Sequence, residues 1–236
     1  MTSATRDLVV VVTGATGVAG QAACQALVAG GRQVVAVGRY DAGLSALRDG
    51  SDPDLLGTRV CDLTDPAAVA ALAASVREQY GVIDGLVHLV GGWRGGKGFT
   101  ANTDEDWQFL SANLIDTLRY VTLELHDDLV ASTAGRAVIV SATGAAAPTA
   151  GSANYATAKA AAEAWLQALA DSLRRRQSGR KDDPLPQTSA AVTLVIKAIG
   201  DRDGFTSAAE LAERINGLFD ADAATLNGAR IDLTAP

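Results

Sequence analysis

Two side chains capable of acid–base chemistry, Tyr155 and Lys159, are four residues apart. In a helix this spacing puts both on one face, one turn apart, and residues 153–173 are rich in the helix formers Ala, Leu and Glu. A phenol normally loses its proton near pH ~10, and a protonated lysine beside it favours the phenolate and lowers the pKa of the tyrosine. The pair is predicted to exchange a proton with a carbonyl or alcohol oxygen near neutral pH. Taken alone, this spacing is more often that of two residues that share a surface face of a helix than that of a catalytic pair.

The N-terminal part of the chain predicts a binding turn for a dinucleotide. Residues 8–12, Leu-Val-Val-Val-Val, are typical of a fully buried parallel strand, and a glycine-rich turn and a helix through residue 28 follow. Glycines let the backbone approach phosphates, and a helix N-terminus offers free N–H groups and the positive end of its dipole. The predicted cofactor-binding residues of this turn are Gly14, Thr16, Gly17, Val18 and Gly20.

The second predicted strand, residues 33–37, indicates which cofactor is used. In dinucleotide folds an acidic residue at this strand end binds the ribose 2′-hydroxyl, whereas a nearby arginine suits a 2′-phosphate. Here Arg39 stands at the strand end and no carboxylate does. We therefore predict NADP(H) in preference to NAD(H), with binding of the ribose by Asp41 as the alternative.

A third strand is predicted at residues 58–61, followed by Asp62 and Leu63. Asp62 is a candidate acceptor for the adenine amino group. Asp65 and Pro66 are typical of the cap and first turn of a helix, predicted to run to residue 80.

The fourth strand, predicted at residues 84–90, leads into a glycine-rich loop that begins Gly91, Gly92, Trp93. Loops at the carboxyl ends of parallel strands hold cofactors and substrates. Trp93 is predicted either to stack on a flat substrate or to plug the strand end. His88, in mid-strand, is interpreted as a hydrogen-bonded core histidine.

Further polar candidates come from the next helix and strand. Residues 104–129 predict one long helix, in which Asn113 lies near the apolar stripe and needs a polar partner. Residues 136–140 predict a strand that ends at Ser141, whose hydroxyl is placed to hydrogen-bond a substrate oxygen. Thr143 is a possible substitute, and simple turn capping is the alternative.

The remaining chain completes one domain, predicted to cover residues 1–236. Residues 174–189 predict a charged, solvated loop, residues 190–196 a sixth strand, residues 207–219 a helix and residues 228–233 a last strand. The predicted fold is α/β, a doubly wound parallel sheet with helices on both faces.

Composition excludes several classes of function. A net charge of −7 argues against nucleic acid or an anionic membrane as the main partner. No apolar run reaches the ~18 residues of a membrane-spanning helix, and the polar residues 1–7 give no signal peptide, so a cytoplasmic location is expected. Cys24 and Cys61 are expected to be buried free thiols, and no metal-ligand spacing is present.

Taken together, these motifs and their order resemble the short-chain dehydrogenase/reductase family over nearly the whole chain. The resemblance implies a Rossmann fold and hydride transfer between a nicotinamide cofactor and a small-molecule carbonyl or alcohol. It implies Tyr155 as general acid/base, Ser141 holding the substrate oxygen, and Asn113 supporting a proton-relay water. Lys159 would bind the nicotinamide ribose and lower the pKa of the tyrosine. The family also commonly pairs helices across subunits, so a homodimer or homotetramer is expected.

Four departures from the family pattern stand out. The glycines are spaced Gly-x-x-Gly-x-x-Gly, and the usual Asn-Asn-Ala-Gly after the fourth strand is replaced by residues 88–91, His-Leu-Val-Gly. The loop from Ser141 to Tyr155 is about one residue longer than usual. After the sixth strand, residues 197–200, Lys-Ala-Ile-Gly, replace the usual Pro-Gly, and the segment that normally forms a substrate lid is short.

Two alternative functions follow. The loop 91–96 resembles that of dihydropteridine reductases, for which a flat bicyclic substrate would stack on Trp93 and NADH would be the preferred cofactor. A catalytically idle dinucleotide-binding regulator is the competitor from another class, because a fold alone does not guarantee chemistry.

Overall fold

The protein is built around one sheet of seven parallel strands, as seen in a computed structural model that describes residues 8–180 and 182–234. The predicted polar segment 1–7, Lys181 of the predicted charged loop and residues 235–236 lie outside this range. The sheet order is β3-β2-β1-β4-β5-β8-β9, which confirms the predicted doubly wound α/β fold. The strands are β1 (Val9–Thr13), β2 (Gln33–Gly38), β3 (Leu56–Val60), β4 (Gly85–His88), β5 (Arg136–Ala142), β8 (Ala190–Ile196) and β9 (Arg230–Asp232), with a separate antiparallel hairpin of β6 (Gly179–Arg180) and β7 (Asp183–Pro184).

Helices connect the strands and cover both faces of the sheet. They are α1 (Val18–Ala29), α2 (Asp41–Asp49), α3 (Pro66–Tyr80), α4 (Asp104–Ser111), α5 (Thr117–Ala131), α6 (Ala153–Gln177), α7 (Ala208–Gly217) and α8 (Ala223–Leu226). The predicted start of α3 is confirmed: Asp65 accepts a 2.9 Å bond from the Ala67 N–H, with Pro66 as the first helical residue. Among the described residues, no helix combines the length and apolar character that crossing a bilayer requires.

Burial of β1 on both sides explains its unbroken apolar sequence. Val10 and Val12 pack on the side that carries α1 and α7, whereas Val9 and Val11 pack on the side of α3 and α5. All four side chains are essentially inaccessible to solvent. The first strand therefore fixes the sheet between two apolar layers.

Several predicted boundaries are wrong, for local reasons. The predicted helix 104–129 is broken by a π-helical turn at Ala112–Asp116, so that α4 and α5 are separate α-helical segments. Helix α6 continues into the predicted loop 174–189 because Gln177 is buried and bonds Thr188 and Ser189. Strand β5 runs two residues further than predicted, since its pairing with β8 continues through Ser141 and Ala142. Helix α2 has no counterpart among the predicted elements.

The sheet order reverses between β1 and β4, and this is where a site forms. On one side of this point the chain winds towards β2 and β3, and on the other towards β5, β8 and β9. In doubly wound sheets ligands bind at the carboxyl ends of the strands beside this reversal. Two cavities lie at this position.

Candidate active site

The first cavity is a cleft of about 530 Å³ at the carboxyl ends of β4, β5 and β8. Tyr155 and Lys159 of α6 line it together with Ser141, Thr143 and Trp93. No acidic residue is among the described residues that line this cleft. The sequence-predicted acid–base pair thus lies in a concave site that could hold a small substrate.

Burial sets the protonation of the Tyr155–Lys159 pair. The Lys159 ammonium donates a 2.7 Å hydrogen bond to the Val140 carbonyl, and its Nζ lies 5.9 Å from the centre of the Tyr155 ring. Burial lowers the pKa of Lys159 to about 8, opposed by the nearby negative charge of Glu163. Burial raises the pKa of Tyr155.

The expected lowering of the Tyr155 pKa is therefore wrong for the protein without cofactor. The Lys159 ammonium donates its hydrogen bond to the Val140 carbonyl and not to the phenol. Loss of hydration around the phenol disfavours the phenolate. At neutral pH the tyrosine keeps its proton.

The two candidate hydroxyls differ in where they point. Ser141 is 1% exposed and donates a 2.5 Å hydrogen bond to a carboxylate oxygen of Glu163, whose other oxygen accepts from Arg230 at 3.0 Å. Thr143 lies beyond the end of β5, partly exposed, in the lining of the cleft. In this arrangement Thr143 has the hydroxyl better placed to meet a substrate, and the role predicted for Ser141 stays a prediction.

His88 is held as a neutral imidazole beneath the cleft. Its Nδ1 lies 2.8 Å from the Thr13 hydroxyl and its Nε2 lies 3.2 Å from the Thr117 hydroxyl. Thr117 donates its own proton to the Asn113 carbonyl, so Nε2 must carry the imidazole proton and Nδ1 must accept from Thr13. Burial, with the positive charge of Lys159, lowers the pKa of His88 to about 3.

The second cavity is a groove of about 550 Å³ on the other side of the reversal point. It shares Leu89, Val90 and Gly91 with the cleft, so the two cavities meet at the end of β4. The groove is lined by the glycine turn, the ends of β2 and β3 and the π-turn, namely by Gly14, Thr16, Gly17, Val37, Gly38, Arg39, Tyr40, Ala42, Gly43, Cys61, Leu63, Phe109, Asn113 and Thr117.

The three glycines of the turn differ in whether the fold itself requires a glycine at their position. Gly14 has φ +70°, and a Cβ at Gly20 would lie 2.2 Å from the Gly14 carbonyl oxygen, so the chain itself requires both. A Cβ at Gly17 would meet only that same oxygen, at 3.5 Å. At Gly17 the fold does not need a glycine, and free space of this kind fits the approach of a phosphate.

The start of α1 is open to an anion. No side chain caps Gly17 at this helix end, and the first turn contains no acidic residue. Val18, in that turn, is 70% exposed. Free N–H groups, the helix dipole and an adjoining groove fit the pyrophosphate of the predicted dinucleotide.

Arg39 is placed across the groove. Its guanidinium donates to the Asn113 side-chain oxygen at 3.3 Å, and its Nε lies 4.0 Å from Asp62. Asp62 accepts from the N–H and the hydroxyl of Thr64, and these bonds lower the pKa of its carboxyl. The alternative ribose ligand, Asp41, is engaged by Arg48.

Asn113 is thus partnered, as its position required, but in the groove and not in the cleft. The side-chain N–H group of Asn113 donates to the Phe109 carbonyl at 2.8 Å, and the main-chain carbonyl of Asn113 accepts from the Thr117 hydroxyl. Its predicted support of a relay water beside Lys159 stays a prediction that this arrangement does not favour.

Two loops close the outer side of the cleft. The Gly96 N–H donates to the Gly151 carbonyl at 2.8 Å, and Asn102 bonds both the Ala150 carbonyl and the Asn154 N–H. Trp93 is 65% exposed on the cleft wall. A side chain that plugged the strand end would be buried. The exposed ring of Trp93 therefore fits stacking on a substrate better than plugging the strand end.

Two charged residues that bear on the cleft were not among the predicted site residues. Glu163 continues the spacing of Tyr155 and Lys159 by one more turn, and this repeat was a readable signal. Lys197 lines the cleft directly after β8. Its signal was the replacement of the Pro-Gly that this position usually has in the family.

Comparison with known proteins decides the family. A family model described as short chain dehydrogenase matches residues 8–177. The chain belongs to the short-chain dehydrogenase family. The predicted membership of the short-chain dehydrogenase/reductase family is thereby confirmed.

Individual relatives are more distant. The NADP-dependent 3-hydroxy acid dehydrogenase YdfG of Salmonella typhi is 31% identical over 157 residues, which cover 65% of this chain and 61% of that protein. The 3-oxoacyl-[acyl-carrier-protein] reductase FabG of Salmonella typhimurium is 26% identical over 168 residues, covering 71% of this chain and 68% of that protein. The matched segment therefore spans less than two thirds of the first relative's length.

Solved structures support the fold. An NADPH-bound short chain oxidoreductase of Pseudomonas aeruginosa, described as containing an atypical catalytic center, superposes with a TM-score of 0.82 at 20% identity and 96% coverage of both chains. A short-chain dehydrogenase/reductase of Brucella melitensis gives a TM-score of 0.79 at 22% identity, with 96% of this chain and 94% of that chain covered.

Proposed function

We propose that the protein is an NADP(H)-dependent reductase of small carbonyl compounds, with Tyr155 as the proton donor. The observation that carries this proposal is the half-buried, protonated phenol of Tyr155 beside Lys159, in a cleft that joins the groove of the glycine turn. Membership of the family supports nicotinamide chemistry, and the relative YdfG, which is named as NADP-dependent, supports the choice of cofactor.

The residues of the groove fit the cofactor as follows. The α1 N-terminus and the glycine turn would hold the pyrophosphate, Arg39 the 2′-phosphate, and Asp62 and Leu63 the adenine side. Lys159 would bind the nicotinamide ribose next to Tyr155, and Gly91 and Gly92 would leave room for the cofactor between groove and cleft. When bound, the dinucleotide would provide the hydride for a carbonyl carbon.

The chain's own residues then control the proton. A phenol ordinarily keeps its proton at neutral pH, and burial raises the pKa of Tyr155 further. This proton neutralises the oxygen of the reduced carbonyl. Thr143, or Ser141 if it leaves Glu163, orients that oxygen by hydrogen bonding.

The test is NADPH oxidation with a panel of small ketones, comparing the wild type with Tyr155→Phe. We expect the variant to lose at least about 100-fold in kcat while binding NADPH as the wild type does. Tyr120→Phe on α5, outside the cleft, is the control and keeps its turnover. If Tyr155→Phe kept kcat within a few-fold of the wild type, the proposed proton donor would be wrong.

The exposed ring of Trp93 favours one second candidate, a dihydropteridine reductase-like activity with NADH. A flat bicyclic substrate would stack on this ring. Oxidation of NADH with quinonoid dihydropterin, lost in Trp93→Ala, would establish this activity, and its absence in the wild type would remove it.

The predicted homodimer or homotetramer and the cytoplasmic location stay predictions. An outer groove of about 470 Å³ between α5 and α6 supports the proposed oligomer, because it offers an apolar surface that includes Leu123, which is 60% exposed, and Trp165.

A further inference from the structure

The cleft contains a cation that the proton-transfer chemistry does not use. Lys197 follows directly after β8 and lines the cleft. It faces no carboxylate there, because the described lining contains no acidic residue. Among the described residues, none of the ion pairs includes Lys197. The other cation of the lining, Lys159, is already bonded to the Val140 carbonyl.

An aromatic ring and a closed loop hold Lys197 at this position. The ammonium lies 5.7 Å from the centre of the Phe205 ring, a cation–π distance. The loop that carries Phe205 closes on itself, since the Thr206 N–H donates to the Ala198 carbonyl and the Gly200 N–H donates to the Thr206 carbonyl. The lysine therefore has a defined place although its side chain is exposed.

The charge of the cleft stands out against that of the chain. The protein has a net charge of −7, yet the charged side chains that line the cleft are Lys159 and Lys197. A cation held in place with no carboxylate beside it attracts an anion, and because Lys197 is exposed this attraction is screened by salt.

We propose that Lys197 binds a carboxylate of the substrate, so that the preferred substrates are carbonyl compounds that carry a carboxylate group. This inference rests on the proposed reductase function. The uncapped start of α1 offers the cofactor's pyrophosphate a place of its own, although Ala19 of its first turn also borders the cleft. With the pyrophosphate held there, Lys197 remains for an anion of the substrate, and the NADPH affinity of the Lys197→Met variant distinguishes the two anions.

The test compares oxo acids with their uncharged esters. Kinetics are measured with acetoacetate and 4-oxopentanoate and with their methyl esters, for the wild type, Lys197→Met and Lys197→Arg. We expect Lys197→Met to lower kcat/KM for the acids by about tenfold, through KM, and to leave the esters unchanged. Lys197→Arg restores most of the activity on acids because it keeps the charge.

A second lysine gives the matched control. Lys97 is exposed on the neighbouring loop and is not among the residues that line the cleft, so Lys97→Met should leave the acid-to-ester ratio unchanged. Equal losses on acids and esters, or a loss of NADPH affinity in Lys197→Met, would overturn the inference, because Lys197 would then serve the fold or the cofactor.

Direct binding separates this inference from the proposed function. If the wild type reduces none of these compounds, calorimetry with 3-hydroxybutyrate, with and without saturating NADPH, still tests the site. Binding that weakens with salt and about tenfold in Lys197→Met supports carboxylate recognition although the reductase proposal has failed. No binding by the wild type would overturn the carboxylate site itself.

Discussion

At the residue scale, the two hydroxyls at the end of β5 illustrate how a neighbour decides a role. Both Ser141 and Thr143 have the chemistry to hold a substrate oxygen, but Glu163 accepts the Ser141 proton inside the structure. A hydroxyl that donates to a carboxylate has no second proton for a substrate. The spacing of Tyr155, Lys159 and Glu163 predicts that Glu163 lies on the same helix face, but not that it accepts from Ser141, which belongs to a different element.

Substitution separates the two hydroxyls. We expect Thr143→Val to lower kcat by about 10- to 100-fold with little change in thermal stability, because a hydrogen bond to the reacting oxygen is lost. We expect Ser141→Ala chiefly to destabilise the fold, by about 1–3 kcal/mol, because Glu163 loses a buried donor. Kinetics and thermal unfolding of both variants make the comparison, and the opposite pattern would return the catalytic role to Ser141.

His88 makes stability depend on pH in a defined direction. Its pKa is about 3 in the fold and near 6.5 in an unfolded chain, so the unfolded state binds the extra proton below pH ~6.5. Folding stability is therefore lost as the pH falls from about 6.5 towards 3, by up to about 1.4 kcal/mol per pH unit from this residue. We expect His88→Asn, which keeps a donor and an acceptor for the two threonines, to flatten this slope.

Chemical denaturation between pH 4 and 7 measures the effect. The control is His126→Gln, on the outer side of α5, which should retain the slope assigned to His88. Equal slopes in the wild type and His88→Asn would show that His88 is not the group responsible.

At the element scale, the glycine turn separates what the fold needs from what a ligand needs. A Cβ at Gly20 would collide with the backbone at Gly14 and Ala15, whereas one at Gly17 has room. The sequence shows three equivalent glycines, and the difference between them depends on how closely α1 approaches the end of β1.

Alanine at each position tests this distinction. We expect Gly20→Ala to destabilise the protein by at least about 1–3 kcal/mol through the backbone clash. Gly17→Ala should cost less than about 1 kcal/mol but weaken NADPH binding at least about tenfold, because the methyl group occupies the approach of the phosphate. If Gly17→Ala bound NADPH like the wild type, the pyrophosphate would not lie at this turn.

Elements with a strong periodic or fully apolar signal were predicted well from the sequence, and those fixed by tertiary contacts were not. The strand 190–196 matches β8, since every residue in it is buried. The π-turn at Asn113 was missed because apolar periodicity is nearly the same before and after it. The extension of α6 to Gln177 depends on bonds to Thr188 and Ser189, which no local pattern encodes.

For the candidate site, the sequence predicted where several residues lie better than it predicted their protonation and hydrogen bonds. Tyr155, Lys159 and the glycine turn lie at the cleft and groove as expected. The direction of the Tyr155 pKa shift was wrong, because burial and the turn of Lys159 towards Val140 are three-dimensional properties.

At the scale of the whole molecule, one buried arginine connects distant parts of the chain. Arg136, at the start of β5, donates hydrogen bonds to the carbonyls of Gly135, Thr188, Leu218 and Ala221. Gly135 directly precedes β5, whereas Thr188 lies before β8, Leu218 directly follows α7 and Ala221 lies further on. The guanidinium thus holds the end of the sheet opposite the active site.

Replacement of this arginine should be costly for the entire fold. We expect Arg136→Met to lower the free energy of unfolding by about 2–5 kcal/mol, since buried carbonyls lose charged donors. The control, Arg175→Met, removes an exposed ion pair with Asp171 and should cost less than about 1 kcal/mol. Chemical denaturation compares the two, and similar small losses would show that the Arg136 bonds contribute little.

The proposed function requires the groove to deliver NADP(H) to Tyr155 and Lys159. A fluorescence titration of the purified protein with NADPH and with NADH, repeated with Arg39→Met, measures this. We expect at least about tenfold tighter binding of NADPH, reduced to near equality in Arg39→Met, because the 2′-phosphate loses its cation. Preference for NADH would contradict the role of Arg39, and binding of neither cofactor would contradict the claim as a whole.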